Sequence, residues 1–248
     1  TSSSAHGTLS GTAPNLTYTP AAGYTGPDSF TFTVNNGIAT SPAATVSITV
    51  GIVNTVETLS SKANLNGTKP LSTLVLGADG ALYGTCQTGG LNNQGSVFKI
   101  TTSGVVTTLV NFYGVNGAAP QAGLCLGSDG NFYGTTTAGG ANNLGTIFKM
   151  TPAGALTTLV SLSSASPNTG TVPKAPLVQA SDGNFYGSTT ATGASSNGTL
   201  FCVTPDGVLT VLKSFTGTTG AVLGSNCQAA MIQGSDGNLY GVAGSSGA

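Results

Sequence analysis

Charge is what this sequence has least of. Only 5% of its 248 residues are Asp, Glu, Lys or Arg, against about 25% in an ordinary globular protein. All six cations are lysines, Arg and Trp are absent, and His6 is the one histidine. A net charge of −1 without basic clusters argues against nucleic acid as a partner, because phosphate neutralisation needs Lys and Arg. The same poverty offers nothing to an anionic membrane surface. No run approaches the ~18 apolar residues of a membrane span, so direct insertion is not expected. No secretion signal is recognisable. The chain opens on Thr1 and its last repeat stops partway, the pattern of a piece or processed product of a longer protein.

Catalytic groups are equally scarce. Glycoside hydrolysis takes two carboxylates about 5–10 Å apart, but Glu57 is the one glutamate and four of the six aspartates recur at a single repeated position. A Ser-His-Asp arrangement would have to recruit His6 behind a Ser-rich start. Gly89-Gly90 and Gly139-Gly140 lack the lysine and following helix of a phosphate loop. With one histidine and no C-x-x-C spacing, zinc is not expected either. The expectation is a protein without catalytic residues, metal or cofactor.

What is present points to strands. Hydrophobic residues make up 39% of the chain, enough for a core, and 38 glycines punctuate it. Between residues 1 and 50, Asn15–Pro20, Ser29–Val34 and Ala44–Val50 alternate apolar and polar, with Phe30, Phe32 and Val34 on one face. Asn35-Asn-Gly37 reads as a hairpin turn. This stretch, from "HGTLSG" to "SPAATVSITV", resembles the C-terminal half of bacterial cadherin-like, immunoglobulin-like tandem domains, stalk and adhesion modules of exported proteins. The resemblance implies a partial β-sandwich. The family's first strands, which carry most of its acidic calcium positions, have no counterpart, and Asp28 alone cannot make a calcium site.

From about residue 65 a repeat takes over. Gly77-Ala-Asp-Gly-Ala-Leu-Tyr-Gly84 returns as Gly127-Ser-Asp-Gly-Asn-Phe-Tyr-Gly134, as Ala180-Ser-Asp-Gly-Asn-Phe-Tyr-Gly187 and as Gly234-Ser-Asp-Gly-Asn-Leu-Tyr-Gly241. Its aspartates, Asp79, Asp129, Asp182 and Asp236, are spaced by 50, 53 and 54 residues. A second block around Phe98, Phe148 and Phe201 and a third around Leu109, Leu159 and Leu212 keep the same register. Four short strands in roughly 50 residues is the size of a propeller blade. The pattern "GSDGNFYGTTTAGGANNLGTIFKMTPAGALTTLVS" resembles the GloVer-type (Gloeo/Verruco) tandem repeats of large, modular bacterial surface proteins. That resemblance implies β-propeller-type repeats over 51–248, divided at about 65–114, 115–164, 165–217 and a truncated 218–248. Ile52–Leu59 resembles the last strand of a blade.

The fold expected is therefore all-β: a partial Ig-like sandwich over 1–50, then four-stranded antiparallel sheets around an axis. In each repeat Asp79, Asp129, Asp182 and Asp236 suit a turn, and Tyr83, Tyr133, Tyr186 and Tyr240 suit the wedge between sheets with their hydroxyls at a polar edge. Recurrence in every unit favours a structural role over catalysis. Lys99 and Lys149 are equivalent and Cys202 replaces them; they read as snorkelling side chains rather than a ring of cations for an acidic ligand. Cys86, Cys125, Cys202 and Cys227 fit disulfides in an exported protein, with sequence-local pairs Cys86–Cys125 and Cys202–Cys227 favoured among three connectivities.

These readings converge on a non-enzymatic structural or adhesive protein, extracellular or on a bacterial cell surface. Its partners would be copies of itself or other surface proteins. Strands donated by neighbours would complete its sheets into a fibre, unless further parts of a longer monomer do the same. The alternative is a carbohydrate-binding propeller with glycans as ligands, using Tyr24, Tyr113 and the loops at Asn92-Asn93 and Asn142-Asn143. The absence of Trp weakens it. Asn15, Asn66 and Asn197 stand in glycosylation sequons.

Overall fold

A computed structural model of the chain describes residues 4–12, 15–51, 67–165, 169–193, 195–217 and 224–244. All regular structure among them is β. The chain divides into two compact units, Thr1–Glu57 and Thr58–Ala248. The strand expected at Ile52–Leu59, and Glu57 with it, lies outside the described residues.

In the first unit β1 (Gly7–Thr12) pairs with β2 (Asn15–Pro20), and β3 (Gly26–Phe32) pairs with β4 (Ala44–Val50), both antiparallel. The turn between β3 and β4 forms where expected: Gly37 takes φ +88°, and Asn35 and Asn36 accept backbone N–H bonds from the residues that follow them. The apolar face read from the sequence is not buried, however. Phe32 is 36% and Val34 61% exposed, because two two-stranded sheets leave that face without a covering layer among the described residues. The buried residue of β3 is Asp28. Its Oδ1 accepts the N–H of Ala5 and Ser29, and its Oδ2 accepts the N–H of His6 and the hydroxyl of Tyr18. Those bonds hold Asp28 below the usual carboxylate range against the opposing effect of burial, and burial together with Asp28 raises Tyr18 to about 12. The carboxylate is a latch for the chain's first turn.

The second unit holds three four-stranded antiparallel sheets with identical topology. They are β5–β8 (Val75–Leu76, Leu82–Cys86, Ser96–Ile100, Val106–Asn111), β9–β12 (Cys125–Leu126, Phe132–Thr136, Thr146–Met150, Leu156–Ser161) and β13–β16 (Val178–Gln179, Phe185–Ser188, Thr199–Val203, Leu209–Ser214). A two-stranded sheet, β17 (Ile232–Gln233) with β18 (Leu239–Tyr240), repeats the start of the pattern. Each four-stranded sheet carries a register shift at the same place, before Phe98, Phe148 and Phe201. The extra residue opposite it is Leu109, Leu159 or Leu212.

The cores lie between successive sheets. Tyr83, Val97 and Phe112 of the first sheet region meet Leu124, Phe132 and Phe148 of the second; Tyr133, Ile147 and Leu162 meet Leu177, Phe185 and Phe201 of the next. Alternation explains the division of labour: in β6, Tyr83 faces the following sheet while Gly84 faces its neighbour, and a side chain on Gly84 would strike Phe98. The displaced Leu109 and Leu159 are covered by the next repeat's turn, where Gly154 and Gly207 sit so close that a Cβ would meet the leucine's carbonyl oxygen at 2.9 and 3.0 Å.

Candidate functional site: the repeated Asp–Tyr turn

The site begins with a tight turn. Gly80, Gly130, Gly183 and Gly237 take φ of +76°, +77°, +82° and +82°, a region that side chains avoid. The preceding aspartate turns back on the chain, its Oδ1 accepting the N–H of Ala81, Asn131, Asn184 or Asn238. Its Oδ2 accepts the tyrosine hydroxyl four residues on, at 2.9, 2.9, 2.7 and 2.6 Å for Tyr83, Tyr133, Tyr186 and Tyr240. Asn131, Asn184 and Asn238 donate their side-chain amides to the same oxygen. In the first two repeats a lysine completes the cluster: Lys99 reaches Asp79 at 2.5 Å and Lys149 reaches Asp129 at 2.8 Å, each over the tyrosine ring. These lysines are neither a ring of cations around a ligand nor loose snorkelling side chains. They are fastened to their own repeat.

Electrostatics follow from that geometry. Hydrogen bonding from Lys99, then from the Ala81 N–H and Tyr83, takes Asp79 down to about 2. Asp129 is pushed up by burial but held well below the usual range by Lys149, Asn131 and Tyr133 together. Tyr186 is pushed up by its bond to Asp182 and then by burial. A carboxylate whose oxygens are taken by three or four donors is a poor base, and a phenol pushed upward is a poor acid. The arrangement fastens each turn to its own strand.

The rings do the packing. Tyr83 and Tyr133 are fully buried, stacked on Phe132 at 4.1 Å and Phe185 at 3.8 Å in the next repeat. Tyr240 is 53% exposed. The Asp–Tyr block thus brings Asp79 with Tyr83, Asp129 with Tyr133, Asp182 with Tyr186 and Asp236 with Tyr240, and brings no two blocks into one pocket. Sequence reading missed a further tie: Gln179 accepts the Ser128 N–H at 2.7 Å and Gln233 accepts the Ser181 N–H at 2.9 Å, each pinning the previous repeat's turn. The recurring Gln-(Ala/Gly)-Ser-Asp-Gly was the visible signal.

The cysteines correct the expected pairing. No disulfide joins Cys86 to Cys125 or Cys202 to Cys227. Cys86 lies at the end of β6 away from the Asp79 turn, packed where Gly67 leaves room, whereas Cys125 stands beside the Asp129 turn, opposite Tyr133. Cys202 likewise sits opposite Tyr186, and Cys227 lies beyond the other end of that strand, its carbonyl bound by Ser188. Closeness in sequence misleads here because each repeat runs the length of its sheet between the two.

The sugar-site candidates are mostly occupied. Asn92 and Asn142 donate to the carbonyls of Phe112 and Leu162, and Asn93 and Asn143 accept the N–H of Gly89 and Gly139. Tyr24 stacks on His6 and donates to Pro27. Tyr113 stays 56% exposed. Among the described residues no group of three or more His, Cys, Asp or Glu is placed to hold a metal, and no helix is long and apolar enough to cross a membrane.

Fold and site together define an all-β tandem-repeat protein whose recurring polar residues brace its own turns. The chain belongs to the Gloeobacter/Verrucomicrobia repeat family, whose model matches residues 19–248. The match starts inside the first unit, earlier than the repeats read from the sequence. No curated protein matches the sequence. Among solved structures it is similar to the extracellular domain of a protein named for a hybrid two-component system from B. thetaiotaomicron. That likeness has 14% identity and a TM-score of 0.44, covering 92% of this chain and 24% of the other.

Proposed function

We propose that this chain is a non-enzymatic scaffold of the bacterial exterior, built from propeller-type blades, that acts by structural or adhesive display and assembles with copies of itself or other surface proteins. One observation carries the reading: in every repeat the Asp–Tyr cluster is consumed by contacts within the protein. Successive sheets stack through Tyr83–Phe132 and Tyr133–Phe185 and are tied by Gln179 and Gln233, as blades would be. A surface with 5% charged residues offers little repulsion between copies. Multivalent display then gives affinity by repetition.

Electron microscopy and solution scattering of the purified chain test this reading. Filaments or larger assemblies are expected. A compact, monodisperse particle of 24.1 kDa would overturn assembly. Turnover in a hydrolase screen that Glu57→Gln abolishes would overturn the non-enzymatic reading.

A further inference from the structure

We infer that Asn36 is a site of self-modification, where the chain closes a succinimide ring and exchanges an uncharged amide for a carboxylate. The inference stands on the hairpin between β3 and β4 and goes beyond the scaffold reading. An asparagine followed by glycine meets least hindrance in this cyclisation, because no Cβ shields the glycine nitrogen. The pair occurs at Asn36-Gly37, Asn66-Gly67, Asn116-Gly117 and Asn197-Gly198. Asn66 lies outside the described residues. The other three look alike in sequence and differ in what must come apart before the ring can close.

At Asn116 and Asn197 the following glycine is buried. Gly117 donates its N–H to Gly114 at 3.0 Å and accepts the return bond at 3.1 Å. The Asn116 side chain accepts the Tyr113 N–H and donates to the Asn111 carbonyl. Gly198 donates to the Thr192 carbonyl at 2.8 Å, and the Asn197 amide donates to the Ser195 carbonyl at 2.8 Å. A Cβ at Gly117 would strike Thr136, and one at Gly198 the carbonyl of Thr189. A nitrogen packed and bonded in this way attacks its neighbour only after local opening.

At the hairpin tip the same groups are placed for the reaction. Asn36 and Gly37 are exposed, Ile38 is 94% exposed, and a Cβ on Gly37 would meet nothing within 4 Å. The Gly37 N–H donates to the exposed side chain of Asn35, at 2.7 Å, rather than to a buried carbonyl. Asn36 Oδ1 accepts the N–H of Ile38 at 3.0 Å and of Ala39 at 2.9 Å. Those bonds fold the side chain forward over Gly37. They also set two donors on the oxygen that takes up negative charge when its carbon is attacked. The Gly37 nitrogen loses its proton to hydroxide and bonds to Asn36 Cγ. The Cγ–Nδ2 bond then breaks, and Nδ2 takes a proton from water and leaves as ammonia. Water opens the ring at either carbonyl, leaving aspartate or isoaspartate. Either product adds a negative charge to a chain of net charge −1. Isoaspartate also lengthens the backbone by a methylene, which strains the Asn35–Thr40 bridge and the bond from the Ser41 N–H to Val34.

The test incubates the full chain in mildly alkaline buffer and follows conversion at Asn36, Asn116 and Asn197 by peptide mass spectrometry. Short synthetic peptides of the same three sequences give the rates without a fold. Asn36 is expected to convert within about threefold of its peptide, while Asn116 and Asn197 lag theirs by at least about tenfold. Conversion at Asn36 should quicken by up to about tenfold per pH unit, because the attacking nitrogen must lose its proton. Amide exchange at Ser41 should quicken as the wild-type chain ages and stay constant in Asn36→Gln, whose longer side chain closes the ring poorly. Conversion at Asn36 as slow as at Asn116 or Asn197, a rate indifferent to pH, or equal ageing of Ser41 in Asn36→Gln overturns the inference.

Discussion

The same substitution at two copies of one motif separates the contribution of the Asp–Tyr bond from that of its surroundings. Tyr133→Phe removes a hydroxyl bonded to Asp129 at 2.9 Å in a fully buried ring; Tyr240→Phe removes one bonded to Asp236 at 2.6 Å in a ring 53% exposed. A hydrogen bond to a charged group contributes about 1.5–3 kcal/mol where solvent does not screen it. Asp129 keeps Lys149 and Asn131 after the change, so the lower end applies, about 1.5 kcal/mol for Tyr133→Phe, and solvent screening makes the loss for Tyr240→Phe smaller. At about 2–4 °C per kcal/mol for a chain of this size, the melting temperature falls by about 3–6 °C in the first and by less in the second. Thermal and urea unfolding followed by circular dichroism reads the global effect. Repeat proteins also open locally, so amide exchange should show β10 loosened in one variant and β18 in the other. Equal losses, or a larger one for Tyr240→Phe despite its shorter bond, would refute the claim that burial sets the value of this contact.

Gly134→Ala should destabilise by about 1–3 kcal/mol, since its Cβ would lie 2.5 Å from Phe148, while Gly241→Ala should cost less than about 0.5; parallel urea titrations compare them. Acid should loosen the repeats. Asp79 and Asp129 have folded-state pKa values below the ordinary 3.8, so their contribution is present above about pH 4 and lost as pH falls through the folded value, about 2 for Asp79. An acid titration whose midpoint is unmoved by Asp79→Asn with Asp129→Asn would contradict this. Alkylation of the denatured chain without reductant should label four thiols; two or none would restore the disulfides.

The repeat is legible from local pattern. Tight turns need Asp followed by Gly, strands need alternation, and both requirements are local, so the four strands of each unit and the equivalence of Tyr83, Tyr133 and Tyr186 could be read directly. The face of Phe30, Phe32 and Val34 shows the limit: alternation marks an apolar side, but burial depends on a covering layer, and Asp28 is buried instead. What each motif residue touches depends on how the strands come together in space. Lysines 50 residues apart look like one ring in a linear alignment, yet Lys99 and Lys149 each close on the turn of their own sheet. Cysteines 39 and 25 residues apart look pairable, yet lie toward opposite ends of their sheets. Spacing fixes register within a sheet, whereas the fit between sheets depends on side chains that meet only after each strand has found its neighbour.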